Sequence, residues 1–260
     1  MKPKVLVLTG YGINCDYETQ HAFNLVGADA KRVHINDIID KIENLENYQI
    51  LALPGGFSFG DDISSGKVLA NKIKFNIIDQ LQKFINNGKL IIGICNGFQS
   101  MVKLGILPAI DRNYKKQTVT LTFNDSGRFE DRWVYLKANP NSKCVFTKNM
   151  DMIYLPVRHG EGKFATTQEN LQRLKKNSHV VFQYVDDKGN LGKYPWNPNG
   201  SLENIAGICD ETGRIFGLMP HPEAFLYKTN HPRWTREKLE DEGMGVKVFR
   251  NAVEFIKENF

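Results

Sequence analysis

Two short segments contain the residue types that nucleophilic catalysis requires. In the first, Cys95 stands between Gly93 and Gly97, after the apolar run Lys89–Ile92 and before a helix-like stretch from Phe98 to Gly105. A cysteine with a glycine two residues away on each side, between strand and helix, is the thiol counterpart of the nucleophile elbow. We therefore predict that Cys95 is a nucleophile at the carboxyl end of a sheet, beside a helix N-terminus that favours its thiolate.

The second segment, His221-Pro222-Glu223, supplies the partners that such a cysteine needs. The His221 imidazole would take the thiol proton and return it to a leaving amine, while Glu223 would orient the ring. Side chains two positions apart in an extended segment point the same way, which suits this pairing. A zinc site made from Cys95, His221 and Glu223 would lack a fourth ligand at a suitable spacing, so no metal is predicted.

A glycine-rich segment, Pro54–Asp62, follows the third predicted strand and should lie at the same edge of the sheet. A tight glycine turn there can direct backbone N–H groups at a developing oxyanion, with the N–H of Asn96 as a second donor. An ordinary strand-to-helix turn is the alternative for the glycines alone. The spacing around Gly66-Lys67 excludes a phosphate-binding loop.

Two further loops combine polar and aromatic residues, and each has a structural alternative. Arg128 is suited to pair with a substrate carboxylate, because a guanidinium binds that group in a bidentate manner. His159 is either close to the site or a hydrogen-bonded loop histidine. For any single residue of these loops, a solvated surface role is the alternative.

The order of predicted elements indicates an α/β fold. Strands and helices alternate over the first hundred residues, the pattern of a parallel sheet covered on both faces. A helix is predicted from about residue 66 to 86, and another from about 234 to 258. Between them, residues 117–185 show strands without regular helices, and we interpret these as an antiparallel extension. We predict one domain over residues 1–260. The other predicted elements are a helix from Cys15 to Val26 and strands at Val5–Leu8, Lys31–Ile35, Ile50–Leu53, Leu90–Ile94, Thr118–Phe123, Arg132–Leu136, Met152–Leu155, Val180–Val185, Ile205–Cys209 and Ile215–Met219.

Composition narrows the class of protein further. The net charge of +5 is spread along the chain, so it is weak evidence for nucleic acid and fits phosphorylated metabolites or an acidic protein surface equally well. The four cysteines show no metal-binding or disulfide spacing, so we expect a reduced cytoplasmic environment and structural roles for Cys15, Cys144 and Cys209. No signal peptide or membrane span is predicted.

Taken together, these motifs resemble the class I glutamine amidotransferases, and the finer pattern is similar to members that serve purine biosynthesis. The match extends from residue 14 to 223. The segments that carry it are Asn14–Asp16, Pro54–Asp61, Gly93–Gln99, Ser126–Phe129, His159–Gly162, Asn197–Ser201 and Gly217–Glu223.

The resemblance implies a three-layer, flavodoxin-like sandwich with a mostly parallel sheet, and a glutaminase reaction through a thioester. It implies Cys95, His221 and Glu223 as the triad, Gly56 and Asn96 as backbone oxyanion donors, and Gly55, Phe57 and Gln99 in the glutamine pocket, with Arg128 and His159 as further candidate contacts.

It also implies that the ammonia passes to a separate synthetase chain, which uses ATP and magnesium to convert formylglycinamide ribonucleotide to its amidine. A small accessory subunit is a possible third component. No cofactor is expected on this chain, and no nucleic acid or membrane partner.

Other classes of protein and other functions are the alternatives to a glutamine amidotransferase of purine biosynthesis. A cysteine hydrolase or redox chaperone of a related fold often has histidine directly after the nucleophile, where this chain has Asn96. A non-catalytic module would be expected to lack a triad member. An independent hydrolase of gamma-glutamyl substrates, or an amidotransferase for another nucleotide or for carbamoyl phosphate, is the alternative function.

Overall fold

The centre of the molecule is a nine-stranded sheet with the order β2-β1-β3-β4-β11-β10-β9-β6-β7. The computed structural model describes residues 1–260. Five strands, from β2 to β11, run parallel, and the other four are antiparallel. Strands β5 and β8 form a separate antiparallel pair. The strands are β1 Lys4–Thr9, β2 Asp29–His34, β3 Ile50–Leu53, β4 Leu90–Ile94, β5 Val119–Thr122, β6 Glu130–Ala138, β7 Met152–His159, β8 Lys163–Thr166, β9 Val180–Val185, β10 Ile205–Cys209 and β11 Ile215–Leu218.

Helices cover both faces of the parallel half. The connection from β1 to β2 crosses the sheet in one direction, and the connection from β3 to β4 crosses it in the other. Because such connections are right-handed, the helices of the two connections lie on opposite faces of the sheet. The predicted three-layer α/β class is confirmed. No helix is both long enough and apolar enough to cross a membrane. The helices are α1 Asp16–Leu25, α2 Ile35–Ile39, α3 Lys67–Asn76, α4 Ile78–Asn86, α5 Asn96–Leu104, α6 Gln168–Lys176 and α7 Val246–Asn259.

The single helix predicted from about 66 to 86 is wrong, because the chain breaks it into α3 and α4. Ile77 leaves the helical conformation, with φ −133° and ψ 16°, yet its side chain stays buried. The apolar residues at helical spacing are all buried: Leu69, Ile73, Ile77, Leu81 and Phe84. The helical spacing of apolar residues therefore continues across the break. That spacing alone does not show where one helix ends and the next begins.

The antiparallel extension is present, but it contains a helix that the sequence interpretation excluded. Helix α6 begins after Thr167, whose hydroxyl accepts a hydrogen bond from the Asn170 N–H at 3.3 Å. A threonine N-cap of this kind is a recognised start signal. The helix is strongly polar and buries only Leu171 and Leu174 among its apolar residues, so its hydrophobic stripe is short.

The C-terminal helix begins at Val246, and the predicted start at about residue 234 is wrong. The preceding segment folds back against the loop that follows Glu223. There the Gly243 N–H donates to the Leu226 carbonyl at 2.9 Å, and the Gly245 N–H donates to the Phe225 carbonyl at 3.0 Å. These backbone groups are therefore not available to a helix. The apolar stripe of the helix is buried and consists of Phe249, Ala252, Val253 and Ile256.

Candidate active site

Three neighbouring parallel strands end at the edge of the sheet that carries the predicted chemistry. Leu53 of β3 pairs with Gly93 of β4, and Leu218 of β11 pairs with Ile94. The glycine turn after β3, the cysteine after β4 and the histidine segment after β11 therefore leave the sheet side by side. A crevice outside the carboxyl ends of parallel strands is the usual ligand site of such folds.

Cys95 occupies a sharp turn between β4 and α5. Its φ of 49° and ψ of −105° are unusual for a residue with a side chain, and such strain is typical of functional sites. The Cys95 N–H donates to the Leu218 carbonyl at 2.8 Å, which ties the turn to β11. A Cβ on Gly97 would lie 1.9 Å from the Leu53 carbonyl oxygen, so this position has no room for a side chain.

His221 and Glu223 form a buried pair. Nδ1 of His221 lies 2.5 Å from Oε1 of Glu223, and both residues are 2% exposed. The His221 N–H donates to the Pro156 carbonyl of β7 at 2.8 Å, which fixes the backbone before the pair. Nε2 of His221 has no hydrogen-bond partner and is also buried. With Nδ1 held by a carboxylate, Nε2 is the nitrogen left for proton transfer.

The edge strand β7 also reaches the other two members of the predicted triad. The Cys95 thiol lies 3.7 Å from the Arg158 carbonyl oxygen, to which it donates. The Arg158 guanidinium lies 4.0 Å from Oε1 of Glu223. Thus the second half of β7 contacts the backbone or side chain of Cys95, His221 and Glu223.

A cavity of about 110 Å³ joins the predicted nucleophile and base. Four of the residues that the sequence singled out line it: Gly56, Phe57, Cys95 and His221. The remaining lining residues are Asn14, Cys15, Phe129 and Arg158.

Burial governs the protonation of the cysteine. It raises the pKa of Cys95 far above its ordinary value, and the neighbouring Cys15 and Glu223 add to the increase. The expected resting thiolate is therefore disfavoured, although the N–H of Asn96 acts in the opposite direction. A thiol in this setting becomes nucleophilic when its proton moves to a nearby base, which produces a compensating imidazolium.

The candidate oxyanion donors come from two turns at this edge of the sheet, Gly56 after β3 and Asn96 after β4. Asn96 is the first residue of α5, and an N–H at that position has no acceptor within the helix. The Gly56 N–H makes no backbone hydrogen bond, while Phe57 N–H donates to the Gly12 carbonyl at 2.8 Å. A Cβ on Gly55 would lie 2.7 Å from Cε1 of His221, so any side chain there would displace the ring.

Gln99 lies outside the cavity, although it was predicted in the glutamine pocket. Its Nε2 donates to the Glu161 carbonyl at 2.5 Å, and its Oε1 accepts from the Asn96 amide at 3.1 Å. Because both ends of the side chain are already bonded and it is 3% exposed, it is placed to support the site from behind.

Neither His159 nor Arg128 lines the cavity. His159 is 2% exposed, and its ring nitrogens lie 3.1 Å from Oδ1 of Asn124 and 3.4 Å from Nδ2 of Asn199. Burial, with a smaller effect of His221, lowers the pKa of His159 to about 3, so the ring is neutral. Arg128 is exposed, and its hydrogen bonds are made by its backbone: its carbonyl accepts from the Asn124 amide at 2.8 Å, and its N–H donates to the Ser126 hydroxyl at 3.3 Å.

The sequence interpretation missed Cys15 and Arg158 as cavity residues. Cys15 was expected to be structural, yet its sulfur, with donor atoms of His221 and Glu223, forms a group within 4.8 Å. These three side chains have donor atoms close enough together to share a metal ion, but three donors leave a tetrahedral zinc site incomplete. Two signals were available: the position of Cys15 soon after β1, and its place in Asn14–Asp16, one of the segments that carry the family resemblance.

Comparison with known proteins identifies the class. The family described as "CobB/CobQ-like glutamine amidotransferase domain" matches residues 2–256. The chain belongs to this family, and it is a glutamine amidotransferase.

Relatives within the family share one specific name. "Phosphoribosylformylglycinamidine synthase subunit PurQ" of Dehalococcoides mccartyi is 50% identical over 257 residues, covering 99% of both chains. The protein of the same name from Methanococcus maripaludis is 47% identical and covers 98% of both chains. Among solved structures, one of PurLQS from Thermotoga maritima matches with a TM-score of 0.74 and 32% identity, covering 98% of this chain and 100% of that one.

Proposed function

We propose that this chain is the glutaminase subunit of a phosphoribosylformylglycinamidine synthase. The observation that carries the proposal is the cavity shared by Cys95 and His221, in a chain that is about half identical to PurQ subunits along its whole length. In this role it hydrolyses glutamine and supplies ammonia to a synthetase, which converts formylglycinamide ribonucleotide to the amidine.

The arrangement of the triad suits acyl transfer from a carboxamide. Nε2 of His221 takes the Cys95 proton, and the sulfur attacks the side-chain carbonyl carbon of glutamine. The Gly56 and Asn96 N–H groups stabilise the resulting oxyanion, a contribution of about 3 kcal/mol for one such donor. His221 returns the proton to the departing nitrogen, ammonia leaves, and water then cleaves the thioester to release glutamate.

We assign the binding of the glutamine α-carboxylate to Arg158 rather than to Arg128. Arg158 is the only lysine or arginine among the residues that line the cavity, and its guanidinium makes no hydrogen bond but lies 4.0 Å from the Glu223 carboxylate. Its Nε is buried without a partner. A planar guanidinium binds a carboxylate with two parallel hydrogen bonds. Gly55, Phe57, Gln99 and His159 shape or support the pocket.

The remaining parts of the proposal concern the whole complex. Residues 1–260 act as one amidotransferase domain in the cytoplasm, without a cofactor or metal of their own. ATP and magnesium bind to the synthetase, and a small accessory subunit completes the assembly. A separate complex is chemically reasonable because free ammonia is mostly protonated at neutral pH, and only the unprotonated form is a nucleophile.

Replacing the nucleophile tests this function. In a complex with the synthetase, Cys95→Ala should abolish glutamine-dependent formation of the amidine, because no thioester can form. Amidine formation from added ammonium salt should persist, since it bypasses this chain. Both rates are measured by following the ribonucleotide product.

A matched control is Cys144→Ala, because Cys144 is buried and free like Cys95 but lies outside the cavity. It should retain glutamine-dependent activity. If Cys95→Ala removed the ammonia-dependent reaction as well, the division of labour between two chains would be wrong.

A further inference from the structure

The glycine turn after β3 continues into a segment that makes several buried polar contacts, and we call residues 55–66 the oxyanion loop. Its first half is held by the side chain of Asn96, the residue after the nucleophile. The Ser58 N–H donates to Oδ1 of Asn96 at 3.3 Å. Nδ2 of Asn96 donates to Oδ1 of Asp61 at 2.9 Å. This half of the loop is therefore fixed directly to the elbow.

The second half is held at Ser65 by a buried ion pair. Both carboxylate oxygens of Glu161 accept from the Ser65 N–H at 3.2 Å. Nζ of Lys103 donates to the Ser65 carbonyl oxygen. Lys103 and Glu161 lie 3.9 Å apart, with side chains only 6% and 10% exposed. The backbone N–H and carbonyl of Ser65 are thus bonded to groups of opposite charge. Charged groups make stronger hydrogen bonds than neutral groups.

The loop has a conformation that requires such support. Phe59, Asp61 and Ile63 have φ values of 55°, 55° and 71°, in the left-handed region that side chains disfavour. Each residue of this kind costs of order 1–3 kcal/mol and persists only where surrounding contacts impose it. Loss of the contacts at Ser65 would let the loop relax. Because Gly56 lies at the beginning of the loop, its N–H would then be held less firmly.

We propose that Glu161 and Lys103 are positioning residues for the oxyanion hole, acting through Ser65 and the oxyanion loop. Neither residue lines the cavity, so neither contacts the substrate. This inference rests on the proposed glutaminase function. It assigns a catalytic consequence to a pair of charges at the far side of the loop from the reacting atoms.

Glu161→Gln and Lys103→Met test the proposal in the complex with the synthetase. The glutamine side chain keeps one acceptor for Ser65 but loses the charge, and methionine keeps most of the apolar stem of lysine. We expect kcat for glutamate release to fall about 10- to 100-fold in each variant, since removal of a complete oxyanion donor costs about 100- to 1,000-fold. KM for glutamine should change little.

A second reaction separates positioning from general damage. Alkylation of Cys95 by iodoacetamide forms no oxyanion, so its rate should be the same in the variants and in the original protein. The control is Glu203→Gln, which removes an exposed ion pair with Lys175 at 3.1 Å and should alter neither reaction. Equal losses in hydrolysis and alkylation, or an unchanged kcat, would overturn the proposal.

Hydrogen exchange of the free chain distinguishes failure of this inference from failure of the proposed function. Amides of residues 57–65 should exchange faster in Glu161→Gln than in the original chain. Unchanged exchange would show that the ion pair does not hold the loop. A complex without any glutaminase activity would instead refute the proposed function, and the catalytic role of the pair with it.

Discussion

At the scale of single residues, the site depends on one charged group that no local motif announces. Arg158 brings a fixed positive charge to the cavity, while its carbonyl oxygen accepts from the Cys95 thiol. Cys95, by contrast, is buried in surroundings that favour the neutral form. The same short segment therefore contacts the nucleophile and presents a group that attracts an anionic ligand.

Alkylation of Cys95 by a charged and an uncharged reagent measures the effect of Arg158. In Arg158→Met, the rate with iodoacetate relative to iodoacetamide should fall about 5- to 10-fold, because a hydrogen bond to a charged group is worth about 1.5–3 kcal/mol and solvent screens part of it at a side chain that is 40% exposed. The modified cysteine is identified by mass spectrometry, since Cys15 shares the cavity.

Arg128→Met is the matched control, because Arg128 is exposed and lies outside the cavity. Its rate ratio should equal that of the unmodified chain. A fall with Arg128→Met and none with Arg158→Met would restore the assignment made from sequence.

The residues that sequence analysis found are those with a local signature. Two glycines frame Cys95, and proline separates His221 from Glu223, so both segments are recognisable without a structure. Arg158 and Cys15 have no such frame, and only the folded sheet brings them to the cavity. Gln99, which the family resemblance places in the glutamine pocket, is hydrogen-bonded at both ends of its side chain, and sequence alone does not tell which partners a buried amide finds.

At the scale of elements, apolar patterns predicted strands better than helix ends. Strands β3, β4, β9 and β10 have the predicted bounds, because short apolar runs between turn residues leave little freedom. The late start of α7 was not predictable, since the residues before it bond to the loop after Glu223, and the break at Ile77 leaves the apolar spacing uninterrupted. Helix α6 was missed because most of its surface is polar.

The strained loop gives a stability prediction at this scale. Ile63 is 85% exposed and has a φ of 71°, a conformation that costs a side chain about 1–2 kcal/mol. Ile63→Gly should therefore raise the melting temperature by about 1–3 °C, after the greater flexibility of glycine in the unfolded chain is subtracted. Thermal unfolding followed by circular dichroism measures the change.

Ile42→Gly provides the comparison, because Ile42 is 76% exposed and does not have a positive φ. That substitution should lower the melting temperature slightly. An equal decrease in both variants would show that the backbone at Ile63 stores no strain.

At the scale of the whole molecule, one buried apolar cluster includes residues of every part of the chain. It extends from Val5 of β1 through the antiparallel strands to Ile256 of α7. The fold class was predictable because alternating strands and helices allow few topologies. The path by which the antiparallel extension returns to the edge with Cys95 was not predictable, because that path depends on pairing between strands far apart in the sequence.

A complete complex should be needed for full activity. We expect the free chain to release glutamate at least about tenfold more slowly than the chain with its synthetase, a difference of about 1.4 kcal/mol in the barrier. The physical reason is the buried, protonated Cys95, which requires a precisely held base before it reacts. Glutamate release is measured with and without the synthetase, at saturating glutamine.

Full turnover by the chain alone would contradict this expectation. It would favour the alternative of an independent hydrolase that acts on gamma-glutamyl substrates.

The contacts made by β7 set a limit on how this enzyme can be recombined. Pro156 and Arg158 belong to the antiparallel half, yet they touch Cys95, His221 and Glu223, which follow strands of the parallel half. A chimera that grafted the parallel half of one relative onto the antiparallel half of another would keep Cys95, His221 and Glu223 and still change the residues that contact them. The two halves have therefore to be inherited together.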